Sequence, residues 1–212
     1  FRNWSPTLAA TMPDEDVVYT ATFDDSEYTI TFNTDGGSPT PNAIKDYYNK
    51  DITDRTKDII APVKDGYTFK GWEPAIPSVI TSDMTIKAQW QINQYTISFD
   101  TDGGSEIASI TQDYSSAITK PSDPTKEGYR FVGWDKDIPS TMPAENMTVK
   151  AQWQINEYTL SYYVDGELYK SEKVTYNSEV AAETEPTKVG YKFSGWSEIP
   201  SVMPARDVAV TG

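Results

Sequence analysis

The sequence predicts a mostly β protein, built of small α+β units repeated in tandem, and three observations carry that prediction. The word Gly-Tyr-x-Phe-x-Gly-Trp occurs at 66–72, 128–134 and 190–196, so that its tryptophans stand 62 residues apart each time. Stretches such as Tyr95-Thr-Ile-Ser-Phe-Asp100 alternate apolar with polar side chains, the period of a strand with one buried face. Asp-Gly pairs at 35–36, 102–103 and 165–166 follow those stretches and tolerate the positive φ that tight hairpin turns require. A fixed period of about 63 residues makes each copy a small module near the lower limit for a self-sufficient core.

Within a copy the first strand runs Tyr95 to Asp100 and the second roughly Glu106 to Tyr114, with Glu167 to Tyr176 as its counterpart. The passage Lys120-Pro-Ser-Asp-Pro-Thr-Lys-Glu-Gly128 holds too much proline for regular structure. The third and fourth strands are Tyr129 to Trp134 and Asn146 to Trp153, and in the latter Met147, Val149, Ala151 and Trp153 share the inner face. The spacing assigns residues 1–27 to the C-terminal half of a copy and 28–94 to a copy with a five-residue insertion before Gly66. Residues 95–157 form a full copy and 158–212 one truncated at its last strand, so further copies are expected beyond either end. In the insertion Ile52, Arg55 and Ile59 recur at helical spacing between Asp51 and Pro62, which predicts one short helix.

The junctions carry the mechanical information. Trp90-Gln-Ile-Asn-Gln-Tyr95 and Trp153-Gln-Ile-Asn-Glu-Tyr158 contain none of the Gly, Ser or Pro that makes a flexible tether. The inner face changes parity across them, from Ile86, Ala88, Trp90 and Ile92 to Tyr95, Ile97 and Phe99. A chain that leaves one core extended and enters the next on its opposite side produces this switch. The expectation is an elongated rod with a fixed rotation per copy, whose first partners are neighbouring repeats of the same chain.

Composition excludes several classes of function. With 32 acidic against 18 basic residues the net charge is −14, which repels a phosphate backbone and argues against nucleic-acid binding. Cysteine and histidine are both absent, which removes disulfides, thiol chemistry, the usual general base and the commonest metal ligand. No apolar run approaches the roughly 20 residues that cross a bilayer, so no membrane insertion is expected and the chain reads as a soluble fragment. Paired carboxylates run glycosidases, but here they fall at strand edges and turns of units too small to suggest a cleft, and the chain is expected not to be an enzyme. Asp100-Thr-Asp-Gly-Gly104 resembles the opening of a calcium loop, yet the position of the bidentate Glu is Thr111 and Asn33 replaces Asp100 in the preceding copy. A hairpin turn is preferred there, and no metal or cofactor is expected. Lys87 and Lys150 fall on the polar faces of their strands, which disfavours an isopeptide crosslink.

Trp72, Trp134 and Trp196 are candidate ligand-binding residues, because an aromatic face stacks on sugar and each would oppose its Tyr-x-Phe pair in a regular strand. The glycine before each can instead host a bulge that turns the ring inward, and small domains rely on aromatic burial, so core packing is preferred. Tyr47, Tyr48 and Arg55, with the charged segment up to Ile60, are the candidates specific to the insertion-bearing copy.

The words Tyr95 to Ser105, Pro124 to Trp134 and Val149 to Trp153, repeated in order, resemble the Listeria-Bacteroides repeat, the B repeat of internalin-type surface proteins. The resemblance covers essentially the whole chain. It implies β-grasp-like units in tandem on secreted or cell-wall-attached bacterial proteins, with an extracellular location at the cell surface or cell wall and no catalytic residues to carry over. The function it implies is a non-catalytic stalk that presents an adhesive domain away from the cell. The alternative is an adhesion module that itself binds host glycan or protein. The chain departs from the pattern at the insertion and at Val164-Asp-Gly-Glu167, which lacks the second glycine.

Overall fold

The computed structural model describes residues 1–212 as two compact units, Phe1–Asn93 and Gln94–Gly212. The first opens with a two-stranded ribbon, β1 (Asn3–Ser5) against β2 (Thr20–Thr22). It continues with β3 (Glu27–Asn33), β4 (Ile44–Tyr47), β5 (Lys50–Asp51), α1 (Thr53–Thr56), β6 (Tyr67–Glu73), β7 (Val79–Ile80) and β8 (Met84–Ile92). A four-stranded sheet has the order β4-β3-β8-β6, in which β3 and β8 are parallel and the outer pairings antiparallel. The first and last strands of the copy therefore lie side by side in the middle.

Alternation decides which face is buried: Ile30 and Phe32 of β3 point inward, while Thr31 bonds Thr85 on the outer face at 2.9 Å. The core joins Ile30, Phe32, Ile44 and Ile86 of the sheet to Ile52 and Ile80 of the connections. Each such isoleucine contributes about 1.5–3 kcal/mol by burial. The second layer is thus extended chain, with β5 paired to β7, in place of a packed helix. The expected helix is the single turn α1. Asp51 holds its entry by accepting from the backbone N and the hydroxyl of Thr53 at 2.9 and 2.7 Å. Thr53, Thr56 and Asp58 are weak helix formers and Pro62 follows, so the turn does not propagate to Ile60.

The five extra residues prove to be divided. Asn49 and Ser115 share a positive φ, +62° and +63°, each directly after a tyrosine, which makes Tyr48 the counterpart of Tyr114. One residue is therefore added before Tyr48 and four between Tyr48 and Gly66.

The second unit repeats the design with β9 (Gln94–Asp100), β10 (Ile110–Asp113), β11 (Tyr129–Trp134) and β12 (Met147–Ile155) in the order β10-β9-β12-β11. It then adds β13 (Glu157–Val164), β14 (Glu167–Thr175) and β15 (Val208–Thr211) in the order β14-β13-β15. β10 starts at Ile110, not Glu106. Ser105 is diverted to the proline-rich passage, donating to the Thr125 carbonyl at 2.8 Å and accepting from the Thr125 N–H at 3.0 Å. In the third copy Glu167 replaces the second glycine, and pairing runs straight from the turn at Val164 and Glu167. The word at 190–196 forms no strand. Val208 pairs with Leu160 as Met147 pairs with Ile97, so Gly212 stands where Ala151 stands.

Candidate functional site

The recurring tryptophans are placed by bulges. In β6 the register slips between Phe69 and Gly71, so that Phe69 faces Trp90 and Trp72 faces Ala88. Residues three apart, which a regular strand would put on opposite faces, therefore share the inner one. Gly71 sits at φ +125°, a conformation that side chains avoid. β11 repeats the slip between Phe131 and Gly133, at φ +141°. Trp72 packs against Phe32 and Phe69, and Trp134 against Phe99 and Phe131, all with centroids 5.3 Å apart. Trp196 packs against Tyr162 and Phe193 at 5.0 Å and donates its indole N–H to the Glu183 carbonyl at 3.0 Å. The three candidates are built into three separate cores and do not converge on one site.

A lysine clasp, which sequence reasoning missed, closes each copy. Lys64 and Lys126 donate to the carbonyls of Asp35 and Asp102 at 2.8 and 2.7 Å, and their ammonium groups lie 4.6 Å from the rings of Tyr67 and Tyr129. Lys188 bonds the Asp165 carboxylate at 2.7 Å and lies 4.7 Å from the Tyr191 ring. In the copies of Lys64 and Lys126 the hairpin turn is thereby tied to the start of the third strand. The signal was the lysine two residues before each Gly-Tyr, hidden because the passage reads as a proline-rich loop. Asp102, at φ +50° in its turn, also meets Lys150 at 2.9 Å. The hydrogen bond and charge of Lys150 hold the Asp102 carboxyl below its usual range, and the same pair raises Lys150. The turn that resembles a calcium loop is a hairpin whose Asp102 carboxylate is ion-paired with lysine.

The joint between the second and third copies is one residue long. Asn156 separates β12 from β13, and this single step makes the parity switch from Ala151, Trp153 and Ile155 to Tyr158, Leu160 and Tyr162. Its N–H donates to the Gly128 carbonyl and its carbonyl accepts from the Tyr176 N–H, both at 2.9 Å. The Tyr176 ring lies directly on Gly128, where an added Cβ would be 2.1 Å from Cδ1, and meets Tyr129 edge-on at 6.0 Å. Two strands, a turn glycine and two tyrosines thus pin the joint. The first unit has matching bonds, from Asn93 to the Gly66 carbonyl at 2.9 Å and from Tyr48 to the Ser26 carbonyl at 2.8 Å.

The insertion builds a separate surface. Arg55 donates to the Lys45 carbonyl and the Asp46 carboxylate, both at 3.0 Å. It lines a groove of about 360 Å³ together with Pro39, Pro41, Ile59 and Ile60, the last 70% exposed. Tyr48 turns edge-on to Tyr28 at 6.3 Å, and Tyr47 is half-exposed at the end of β4. Of Tyr47, Tyr48 and Arg55, Arg55 reaches the groove and the two tyrosines do not, while the segment up to Ile60 lines it through Asp58, Ile59 and Ile60.

Comparison with known proteins follows this repeated geometry. The family model described as the Listeria-Bacteroides repeat domain matches residues 28–89, 95–152 and 158–202. A protein of Evansella cellulosilytica with a membrane-protein name is 34% identical over 86% of this chain and 30% of its own length. A second from that organism, whose name adds glycine-rich, is 32% identical over 86% of this chain and 23% of its own. Internalin H of Listeria monocytogenes is 38% identical over 61% of this chain and 23% of its own length. The chain thus matches less than a third of each relative. No helix is long and apolar enough to cross a membrane.

Proposed function

The chain belongs to the Listeria-Bacteroides repeat family, and from that premise we propose that it is a non-catalytic stalk segment of a bacterial cell-surface protein, holding an adhesive domain away from the cell. The observation that carries this reading is the one-residue joint at Asn156, pinned by Gly128, Tyr129 and Tyr176. A spacer needs joints that resist bending, and a joint with paired strands on both sides and no free linker meets that need. Each complete sheet, with its parallel first and last strands at the centre, fits a β-grasp-like unit without the usual helix. The family is one of repeats and supplies no catalytic set, in keeping with a non-enzymatic role.

Residual dipolar couplings of the 212-residue chain test the stalk. The second and third copies are expected to share one alignment tensor, and the tensors to diverge in Gly128→Ala, where the new methyl displaces Tyr176. Gly190→Ala is the control, since Gly190 has a similar φ, +81° against +74°, with nothing within 4 Å of its added Cβ. Separate tensors in the unaltered chain would sink the proposal. Small-angle scattering adds the overall dimension, which for a stalk exceeds one repeat several-fold.

An adhesion module is the second reading, favoured by the groove that Arg55 and Ile60 of the insertion-bearing copy line. It predicts that binding to host glycan or protein disappears when the four residues added between Tyr48 and Gly66 are removed.

A further inference from the structure

A second groove, of about 570 Å³, lies at the joint between the second and third copies. The parity switch creates it. Arg130 and Gln154 pair across the outer face of β11 and β12, while Glu157 and Lys173 stand on the outer face of β13 and β14. Asn156 fixes the angle between those two faces, and both line the groove.

Its charge contrasts with that of the whole molecule. In a chain of net charge −14, two cations from different copies face one hollow with the single carboxylate of Glu157. Nine other cations are engaged with carboxylates, including Lys126, Lys150 and Lys188. Arg130 instead donates to the Gln154 amide oxygen, and Lys173 to the Thr159 hydroxyl at 2.7 Å. With neutral partners neither cation is in an ion pair, and against the one carboxylate of Glu157 the lining keeps a net charge of +1. At the preceding joint the corresponding positions hold Thr68 and Thr111, so the pair is not repeated there.

We propose that this groove is a subsite for an acidic saccharide. The sugar's carboxylate or sulfate lies between Arg130 and Lys173, while its hydroxyls meet Glu157, Gln154 and Thr175. Charge-assisted bonds to an anion are the strong contacts available here, and a guanidinium matches planar oxyanions in a fixed fork. The rest of the lining favours a sugar over an acidic peptide: its amide and hydroxyl groups both donate and accept, the Glu157 carboxylate accepts, and Ile155, 39% exposed, is the one apolar side chain. The site goes beyond the stalk and does not rest on it, since a rigid spacer without this groove remains a spacer.

The test is a titration of the ¹⁵N-labelled 212-residue chain with a galacturonic acid hexamer and, separately, a sulfated cellohexaose. The two probes distinguish a carboxylate from a sulfate as the acidic group. Neutral cellohexaose and hexaglutamate are the comparisons. Saturable amide shifts are expected at Gln154, Asn156, Glu157 and Lys173, with neither comparison producing them. In Arg130→Thr/Lys173→Thr, which takes the residues of the preceding joint, affinity is expected to fall about tenfold or more, the scale of one lost charged hydrogen bond. Lys120→Thr/Lys192→Thr removes the same charge elsewhere and should leave affinity within about twofold. An equal loss in the two double variants would reduce the effect to net charge and overturn the site. Equal binding of hexaglutamate overturns the saccharide assignment, and absence of saturable shifts with either acidic sugar overturns both. The alignment tensors read the joint independently, so a failed titration with an intact joint counts against the groove and not against the stalk.

Discussion

A methyl group on Gly104 would stand 2.6 Å from Cζ2 of Trp153, and one on Gly37 would stand 2.5 Å from the same atom of Trp90. The constraint is steric rather than torsional, since the positive φ belongs to the residues before, Asp102 at +50° and Gly103 at +83°. The indole cannot retreat without giving up its 3.0 Å bond to the Thr101 carbonyl. Gly104→Ala is therefore expected to cost about 1–3 kcal/mol, the usual range for forcing extra volume into a packed site. Urea unfolding followed by tryptophan fluorescence should show a lower midpoint at unchanged slope. Lys126→Met keeps the stem over Tyr129 but removes its ammonium group, with an expected loss of about 1 kcal/mol in the same assay. The Asp-Gly turn was legible in the sequence because turn chemistry is local. The need for the second glycine was not, because the indole that imposes it arrives 49 residues later. In the third copy Glu167 stands at the position of Gly104.

Strands were legible wherever alternation and pairing agree, as in β3, β9 and β12, whose buried residues match the apolar set. The second strand of the middle copy begins later than expected, at Ile110, because Ser105 just before the expected start is held by Thr125 of the proline-rich passage. The bulge is the element on which the third strand depends. Gly133 has open space around its missing Cβ, so Gly133→Val tests backbone conformation with no clash to confuse it. Holding valine at φ +141° is expected to cost on the order of 1–3 kcal/mol, unless the bulge slides and swings Trp134 outward. A red-shifted, more quenchable indole emission identifies the second outcome. Either way β11 weakens against β12. A bulge was foreseeable from a glycine placed before each tryptophan, since no other local feature puts Phe131 and Trp134 on one face.

Across the molecule, charge sets the pH range of stability. Lys150 holds the Asp102 carboxyl below its ordinary value and Lys170 does the same for Glu183. A carboxyl lowered on folding stabilises the fold above its unfolded value, about pH 4, and the contribution is lost as pH falls through the folded value. Lys45, Lys150 and Lys170 are raised by their carboxylate partners, and burial raises the Tyr162 hydroxyl. Their contributions are complete below about pH 10 and are lost as pH rises through the folded values. The thermal midpoint is thus expected to be level from roughly pH 5 to 9 and to fall on both sides, with Asp102→Asn shallower on the acid side. Because these pairs are solvent-exposed, each limb is gentle. The central parallel pair has a further consequence when the ends of a copy are drawn apart. β9 enters at Gln94 and β12 leaves at Ile155, side by side in the same direction, with Ile97 to Asp100 set against Met147 to Lys150. Tension along the array loads that ladder in shear, so its bonds must yield together and not one at a time as in a zipper.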